Sequence, residues 1–492
     1  MKKQRLTQLI CLMLAAMMLP SCGGTVDDVS KDTSASSDTT GETTPAVTGR
    51  DAVSDDLPEM NYNGKTFTLM YRSNYNYEFE AEEETGDLVN DAIYRRNGKV
   101  MDRFGVEFEH YAVDGSWYDP AIAFNTTVRS SIMSGDGAFD LVAGYAAVLP
   151  MIVGDNLFLN WNDQKYVDFS KPWWSERVAE ELTINGKDFL ITGDLSLALW
   201  RGMNCIYFNK RLAEDYKTGD LYQLVKDGDW TFDKLISLSK DVYEDLDGDS
   251  KASEADKFGL LLGWATEIDN IKEAFEIHVA KKGADGFPEI TLVDEHTVEV
   301  VERLNDYVHN SKGVYTTGGA ANDREVINTA FRNGNGLFYT ATLGKSEQMR
   351  DMNDDFGILP YPKYSDAQKE YHSTSLDEFS FFVIPSDAKD PDMSALITEA
   401  LCAESYKEVI PVFYDTALKT KAARDDNSGE MIDIIRDSLT FDFGYIYSQT
   451  LGGVGHRFVG WIRENNNNIV SDYESSEATF KDKLETVLEV YR

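Results

Sequence analysis

Between Lys65 and Ala143 the chain alternates strand-like and helix-like patterning, and that order restricts the kind of sheet it can build. Lys65-Thr66-Phe67-Thr68-Leu69-Met70-Tyr71 follows the turn pair Asn63-Gly64 and reads as a strand. Val89, Ile93, Val100 and Phe104 then fall on one face of a helix that Gly105 stops. Val106-Glu107-Phe108-Glu109 alternates with period two, as a half-buried strand does. A second helix over about Asp119–Met133 leads through Ser134-Gly135-Asp136-Gly137 into the strand Phe139-Asp140-Leu141-Val142-Ala143. This β-α-β-α-β order predicts an open parallel sheet with helices on both faces. Such sheets bind ligands at the carboxyl ends of their strands, here the stretches after Tyr71 and Ala143.

The residues before this unit carry an address. Lys2, Lys3 and Arg5 precede the apolar run Leu9–Leu19, which is too short to span a hydrocarbon core of about 30 Å as a helix. Leu19-Pro20-Ser21-Cys22 resembles a bacterial lipobox, so residues 1–21 are expected to be cleaved and Cys22 lipidated. An ordinary secretory signal with an incidental cysteine is the alternative. Residues 22–60 then form an expected tether, rich in Ser, Thr, Asp and Gly and without an aromatic residue before Tyr62. Such a stretch buries too little apolar surface to offset its ordering entropy and is expected to stay flexible. The protein is thereby expected outside the cytoplasm, anchored to the cell membrane.

About 430 residues follow, room for two or three domains by the length prior. Formal net charge is −38, and removing Lys2, Lys3 and Arg5 takes it to −41. So acidic a chain argues against nucleic-acid binding and against a basic membrane-surface patch. Beyond the signal and Cys22 only Cys205 and Cys402 remain, either as one disulfide or as two buried thiols.

Further along, residues 230–330 read as mostly helical, and strand-like runs recur at Gly336–Thr340 and Phe379–Ile384, with Asp355–Pro360 between them. Several local motifs carry a resemblance. These are Tyr94-Arg95-Arg96-Asn97, Lys171-Pro172-Trp173-Trp174, Tyr207-Phe208-Asn209-Lys210 and Gly228-Asp229-Trp230-Thr231-Phe232-Asp233. Phe331-Arg332-Asn333-Gly334 and Gly357-Ile358-Leu359-Pro360-Tyr361-Pro362-Lys363 follow in the same order. Taken together, from Tyr62 onward the chain resembles the extracellular solute-binding proteins of ABC importers, the carbohydrate-binding group that includes maltose-binding protein. The stretch from Tyr414 to Ile435, with Arg424-Asp425-Asp426 and Met431-Ile432-Asp433, is similar to a lipoprotein subgroup common in clostridia and their relatives.

The resemblance implies an α/β fold of two lobes, each an open sheet flanked by helices, joined by hinge crossings around the ligand. It implies crossings near Ala198–Asn204 and Ser375–Ser380, and a third around 325–330. Lobe one would comprise residues 61–200 and 328–376, and lobe two 201–327 and 377–492. It also implies a monomeric, non-enzymatic carrier that hands a sugar or oligosaccharide to permease subunits. A surface glycoside hydrolase, or a binder of a non-sugar solute such as a peptide, is the competing reading.

Candidate site residues follow from residue type and position. Tyr71, Tyr145, Trp200, Trp264 and Trp461 are aromatic residues suited to the apolar faces of sugar rings, though each also suits a core. Arg72 and Arg201 stand beside two of them and could instead pair a carboxylate. The expected ligand-binding set is Tyr71, Arg72, Tyr145, Trp200, Arg201 and Trp264. A separate motif runs from Asp245 to Asp256. Asp245, Asp247, Asp249, Ser253 and Asp256, with the main-chain carbonyl of Lys251, match the oxygen positions of an EF-hand loop. Ser250 replaces its turn glycine and Asp256 its bidentate Glu. A structural Ca²⁺ is expected there, a solvated acidic turn being the alternative. Catalytic motifs are wanting: the six histidines lack zinc spacing, and no Gly-x-Ser-x-Gly or Walker loop occurs.

Overall fold

The computed structural model describes residues 49–492 except 265, 320–322 and 419–425. Residues 1–21, Cys22 and the first part of the tether lie outside the described residues. Strand β1 (Lys65–Arg72) pairs in parallel with both β2 (Val106–Val113) and β3 (Leu141–Tyr145). The helices between them have the ends that the sequence encodes. Helix Leu88–Phe104 starts where Asp87 accepts the N–H groups of Val89 and Asn90, and it stops at Gly105 in the left-handed conformation. Helix Asp119–Ser134 stops in the same way at Gly135. All five β3 residues are buried, as in a sheet covered on both faces.

A larger, mixed sheet forms the second layer system. Strand β4 (Asn204–Asn209) opens it, and β5 (Tyr243–Glu244) runs antiparallel to β6 (Lys257–Leu261) at its edge. Strands β7 (Ala280–Lys282) and β8 (Pro288–Ile290) form a separate hairpin, and β9 (Val314–Tyr315) pairs with β6. Strand β10 (Gly336–Thr342) lies between β4 and β6, and β11 (Phe356–Leu359) flanks β4. Strand β12 (Ser380–Val383) then returns to the first sheet, antiparallel to β3, giving the order β12-β3-β1-β2. The region 230–330, read as mostly helical, thus contributes five short strands, β5 to β9, four of which have only two or three residues and cannot show a period.

This pairing differs from the expected division of the lobes. Residues 336–359, expected in lobe one, are hydrogen-bonded into the second sheet through β10 and β11. Residues 380–383, expected in lobe two, belong to the first sheet, and helix Pro391–Glu404 packs into the same core. No crossing occurs at 325–330, where helix Asp323–Arg332 packs on β10 and β6 of the second sheet. The tether also ends earlier than expected. Leu57 and Met60 pack against the first core, Asp55 is buried against Arg103, and Arg50 donates to the Tyr406 carbonyl at 3.1 Å.

The two expected crossings near 200 and 376 lie side by side. The Asn204 N–H donates to the Thr374 carbonyl at 2.9 Å and the Leu376 N–H to the Gly202 carbonyl at 2.8 Å. A Cβ on Gly202 would stand 2.5 Å from Ser375 Oγ, so this close approach requires glycine. Beside the pair, the buried Glu78 carboxylate accepts from Ser196 Oγ (2.8 Å), the Ala198 N–H (2.7 Å) and Ser380 Oγ (2.8 Å). Arg96 is buried as well and donates to the Glu78 carbonyl at 2.9 Å and to Ser405 Oγ at 3.2 Å. Trp173 and Trp174 close the first core by donating to the two oxygens of Glu399 at 2.9 and 2.8 Å. Cys205 and Cys402 are buried free thiols, one on β4 and one on helix Pro391–Glu404.

Removing the Glu78 carboxylate strands three buried donors at once. Glu78→Ala is expected to cost about 2–4 kcal/mol, read as a lower urea midpoint at unchanged slope.

Candidate functional site

A cavity of about 1030 Å³ opens where the carboxyl ends of the first sheet face the second lobe. Asn74 and Tyr75 follow β1, Ser116 to Pro120 follow β2, and Ala147 and Val148 follow β3. This is the placement expected of an open α/β sheet. The second lobe supplies Asp269 from helix Thr266–Ala274 and Arg324 from helix Asp323–Arg332. Asp377 and Glu378 come from the return crossing, and Tyr445, Gln449, His456 and Arg463 from the last fifty residues. A small inner recess shares Asp377, Tyr445, Gln449 and His456 with the cavity and reaches down to Glu273 and Asp442.

Side chains tie the lobes together across this space. Tyr75, after β1, donates its hydroxyl to Glu378 at 2.7 Å. The other oxygen of Glu378 lies 3.7 Å from Arg324, whose Nε is 3.1 Å from Glu267. Burial, with Glu378 beside it, pushes the Tyr75 phenol well above its usual range, so the hydroxyl remains the donor. On the opposite wall, the Tyr445 hydroxyl donates to Asp269 at 3.1 Å, and His456 Nδ1 stands 3.5 Å from the same oxygen. Burial acts to lower the His456 pKa, but the hydrogen bond and charge of Asp269 outweigh it and hold the imidazole above its ordinary value. Burial pushes Asp377 up to about 6, Glu378 and Asp269 adding to the effect against His456 and Arg324.

The sequence-derived ligand set is placed differently. Tyr71 is fully buried in the first core against Phe79 and His110. Its strand position aims it at the helical layer, whereas Arg72, one residue on, points to the other face. Arg72 is buried behind the cavity wall, its guanidinium 3.7 Å from the ring centre of Tyr75 and 4.7 Å from that of Tyr145. It donates to the carbonyls of Glu378 and Phe379, so it props the wall and cannot reach a ligand carboxylate. Tyr145 is buried with Ala121 and Val148 in a small cluster beneath the cavity. Trp200 donates to Asp194 at 2.9 Å and packs on Tyr414, which fixes the first crossing and keeps the indole inside. Arg201 pairs with Glu347 at 2.8 Å beside Tyr77. Trp264 and Trp461 are buried in the second lobe. None of the six expected ligand residues lines the cavity.

Trp117 and Tyr118 are the aromatic residues that do reach it, with Tyr75 and Tyr445. Trp117 is 66% exposed, and its ring centre is 6.4 Å from that of Tyr145. An exposed tryptophan at the edge of a large cavity is an open stacking face. The signal that could have found it is positional: Trp117-Tyr118 follows Asp114-Gly115-Ser116 at the carboxyl end of β2. The contribution of residues 445–463 had a weaker signal, the run Leu451-Gly452-Gly453-Val454-Gly455-His456, in which Gly452 and Gly453 adopt positive φ.

The acidic loop joins β5 to β6, and none of its residues lines the cavity. Asp245, Asp247 and Asp249 each bring one oxygen within 4.8 Å of the others. Ser250 takes the left-handed turn at φ 64° that glycine fills in the EF-hand pattern. Asp256 is fully buried and braces the loop, accepting the Leu246 and Ser253 N–H groups at 2.9 and 3.1 Å. Lys251 donates its N–H to Asp249 at 2.7 Å, and Ser253 Oγ accepts the Ala255 N–H at 3.2 Å. Three carboxylates around one turn suit a hard cation, and Asp256 serves better as scaffold than as ligand. Glu273, His278 and Asp442 are a second group with ligand atoms within 4.8 Å of one another. There the buried Lys272 ammonium already bonds Glu273, so a lysine charge occupies the place of a metal.

No protein-family model and no curated protein matches the sequence. Solved structures do match its fold. One is a cyclo/maltodextrin-binding protein complexed with maltotetraose, at 14% identity and a TM-score of 0.53 over 88% of this chain and 98% of that one. Another is the GacH receptor of Streptomyces glaucescens, at 12% identity and a TM-score of 0.52 over 87% and 98%. A third is the ABC substrate-binding protein Lmo0181 from Listeria monocytogenes in complex with cycloalternan, at 12% identity and a TM-score of 0.50 over 87% and 98%. The fold is that of the two-lobed, periplasmic-binding-protein-like α/β proteins, of which maltose-binding proteins are examples.

Asp377 gives a pH test of the wall. A carboxyl whose folded pKa rises from 3.8 to about 6 favours the folded state while protonated, and that contribution is lost as pH rises through this window. Asp377→Asn is therefore expected to raise the thermal midpoint relative to wild type at pH 7, with the gain vanishing below about pH 4.

Proposed function

We propose that this chain is a cell-surface substrate-binding lipoprotein that captures a sugar or oligosaccharide and delivers it to the permease of an ABC importer, without chemical turnover. The observation that carries the reading is the large cavity between two lobes, with an exposed tryptophan on one wall and carboxylates and arginines on the other. Sugars present apolar C–H faces for stacking and a rim of hydroxyls for polar partners, and this wall offers both. A volume at the top of the common pocket range of about 300–1,000 Å³ suits an oligosaccharide better than a single ring. The structural neighbours named above, solved in complex with maltotetraose or cycloalternan, support the same class. The lipobox at Cys22 and the acidic, nucleic-acid-averse composition support an anchored extracytoplasmic monomer.

Titration calorimetry with a glycan panel, followed by product analysis of the same samples, tests the proposal. Binding without cleavage is expected. Release of shorter products would instead favour a glycoside hydrolase, and binding of peptides alone would favour a different solute class. Within the carbohydrate reading, Trp117→Ala is expected to weaken binding by about 1 kcal/mol or more, at least about fivefold, with the fold intact.

We also propose that Asp245, Asp247 and Asp249 hold one structural Ca²⁺ on the β5–β6 loop, with the Lys251 carbonyl and Ser253 completing the set. Its role is to neutralise three neighbouring carboxylates that otherwise repel one another. Calcium is expected to raise the thermal midpoint, and a chelator to reverse the gain. Replacing Asp247 and Asp249 by Ala is expected to abolish that dependence, and a wild-type midpoint indifferent to calcium rules the site out.

A further inference from the structure

The deep end of the cleft holds more buried negative charge than positive. Asp269, Asp377, Glu273 and Asp442 line the cavity or the recess beneath it. Lys272 and His456 are the two cations set among these four carboxylates, Lys272 bonded to Glu273 and His456 beside Asp269. His278 adds no charge, because burial pulls its pKa down to about 4. Arg324 is engaged by Glu267 and Glu378 nearer the mouth. Asp442 is satisfied by the N–H groups of Val279, Ala280 and Tyr445, and burial pushes Glu273 up to about 7, so Asp269 and Asp377 are the carboxylates whose burial most needs a further positive charge.

Two of these carboxylates also hold unused acceptor capacity. Asp269 is 5% exposed, and its Oδ1 has no donor among the described residues, although Oδ2 receives the Tyr445 hydroxyl. Glu273 is 3% exposed, and its Oε2 lacks a donor in the same way. Asp194 Oδ2 and Glu267 Oε2 are likewise buried without a donor, but Asp269 and Glu273 are the two that line the ligand space. The ligand that completes such a wall brings donors and a positive charge together.

We infer that the deep end of the cleft receives a protonated amine of the ligand, so that the preferred cargo is an oligosaccharide bearing a free amino sugar. This deepens the carbohydrate reading and rests on it. A free amine is set against three alternatives. An N-acetylated ring carries one amide N–H and no charge, a neutral ring supplies hydroxyls only, and a uronate adds a further carboxylate to a wall already rich in them. An ammonium group could equally come from a polyamine, which lacks the ring that Trp117 is placed to stack on.

The test is calorimetry on the mature protein with glucosamine oligomers, their N-acetylated counterparts, malto-oligosaccharides, oligouronates and spermidine. Glucosamine oligomers are expected to bind at least about tenfold more tightly than the N-acetylated ones, with an advantage that shrinks as salt is added. Asp269→Asn and Asp377→Asn are each expected to narrow that ratio, with near-ultraviolet circular dichroism confirming that the variants fold. Should a variant fail to fold, the wild-type ratio and its salt dependence still decide the matter. Tighter binding of neutral, N-acetylated or acidic oligomers overturns the inference and leaves the carbohydrate reading standing. Binding of spermidine with no glycan bound overturns both.

Discussion

The buried carboxylate of Glu78 organises the junction on which the rest of the molecule depends. It joins the turn after β1 to the segment entering the first crossing and to the first residue of β12. Because those segments lie far apart in sequence, one side chain fixes the angle at which both crossings leave the first sheet. Burial raises the pKa of this carboxyl, and the Ala198 N–H, Arg72 and the two serines act against that rise. A buried acid is tolerated where its lone pairs are used, and this one uses three of them. Gly202 then lets the crossings touch, so two backbone hydrogen bonds hold them in register.

From that junction the cleft inherits its chemistry. Asp377 and Glu378 are residues of the return crossing, so the polar wall between the lobes belongs to the hinge itself. Glu378 is shared by a phenol on one side and a guanidinium on the other, while Arg72 supports Tyr75 from behind through its ring face. Electrostatic contacts of this kind gain strength where water is excluded.

Much of the first lobe was legible because its elements carry long periods and explicit stops. Asp87, Gly105 and Gly135 act at helix ends where the sequence places them, and Phe67, Leu69 and Tyr71 alternate into the core. The exchange of β10, β11 and β12 between sheets was not legible, since a four- to seven-residue apolar strand fits either sheet equally well. Candidate ligand residues failed for a related reason. Tyr71, Trp200 and Trp264 are large and apolar near strand ends or crossings, which describes a core residue as well as a binding residue, and burial decided for the core. Arg72 and Tyr145 came nearer, one layer behind the wall. The acidic turn was readable because spacing, unlike hydrophobicity, survives without knowledge of tertiary neighbours.

The order in which the wall is drawn along the chain has a consequence for its assembly. Its first members are Asn74 and Tyr75 and its last is Arg463, so the site spans almost the entire folded sequence. A polypeptide emerging N-terminus first can complete the β1–β3 unit early and still possess no closed cavity wall. A product clipped ahead of Tyr445 keeps Trp117 and the crossings but forfeits Tyr445, Gln449, His456 and Arg463, half of the far wall. A complete cavity wall thus certifies that folding has proceeded past Arg463.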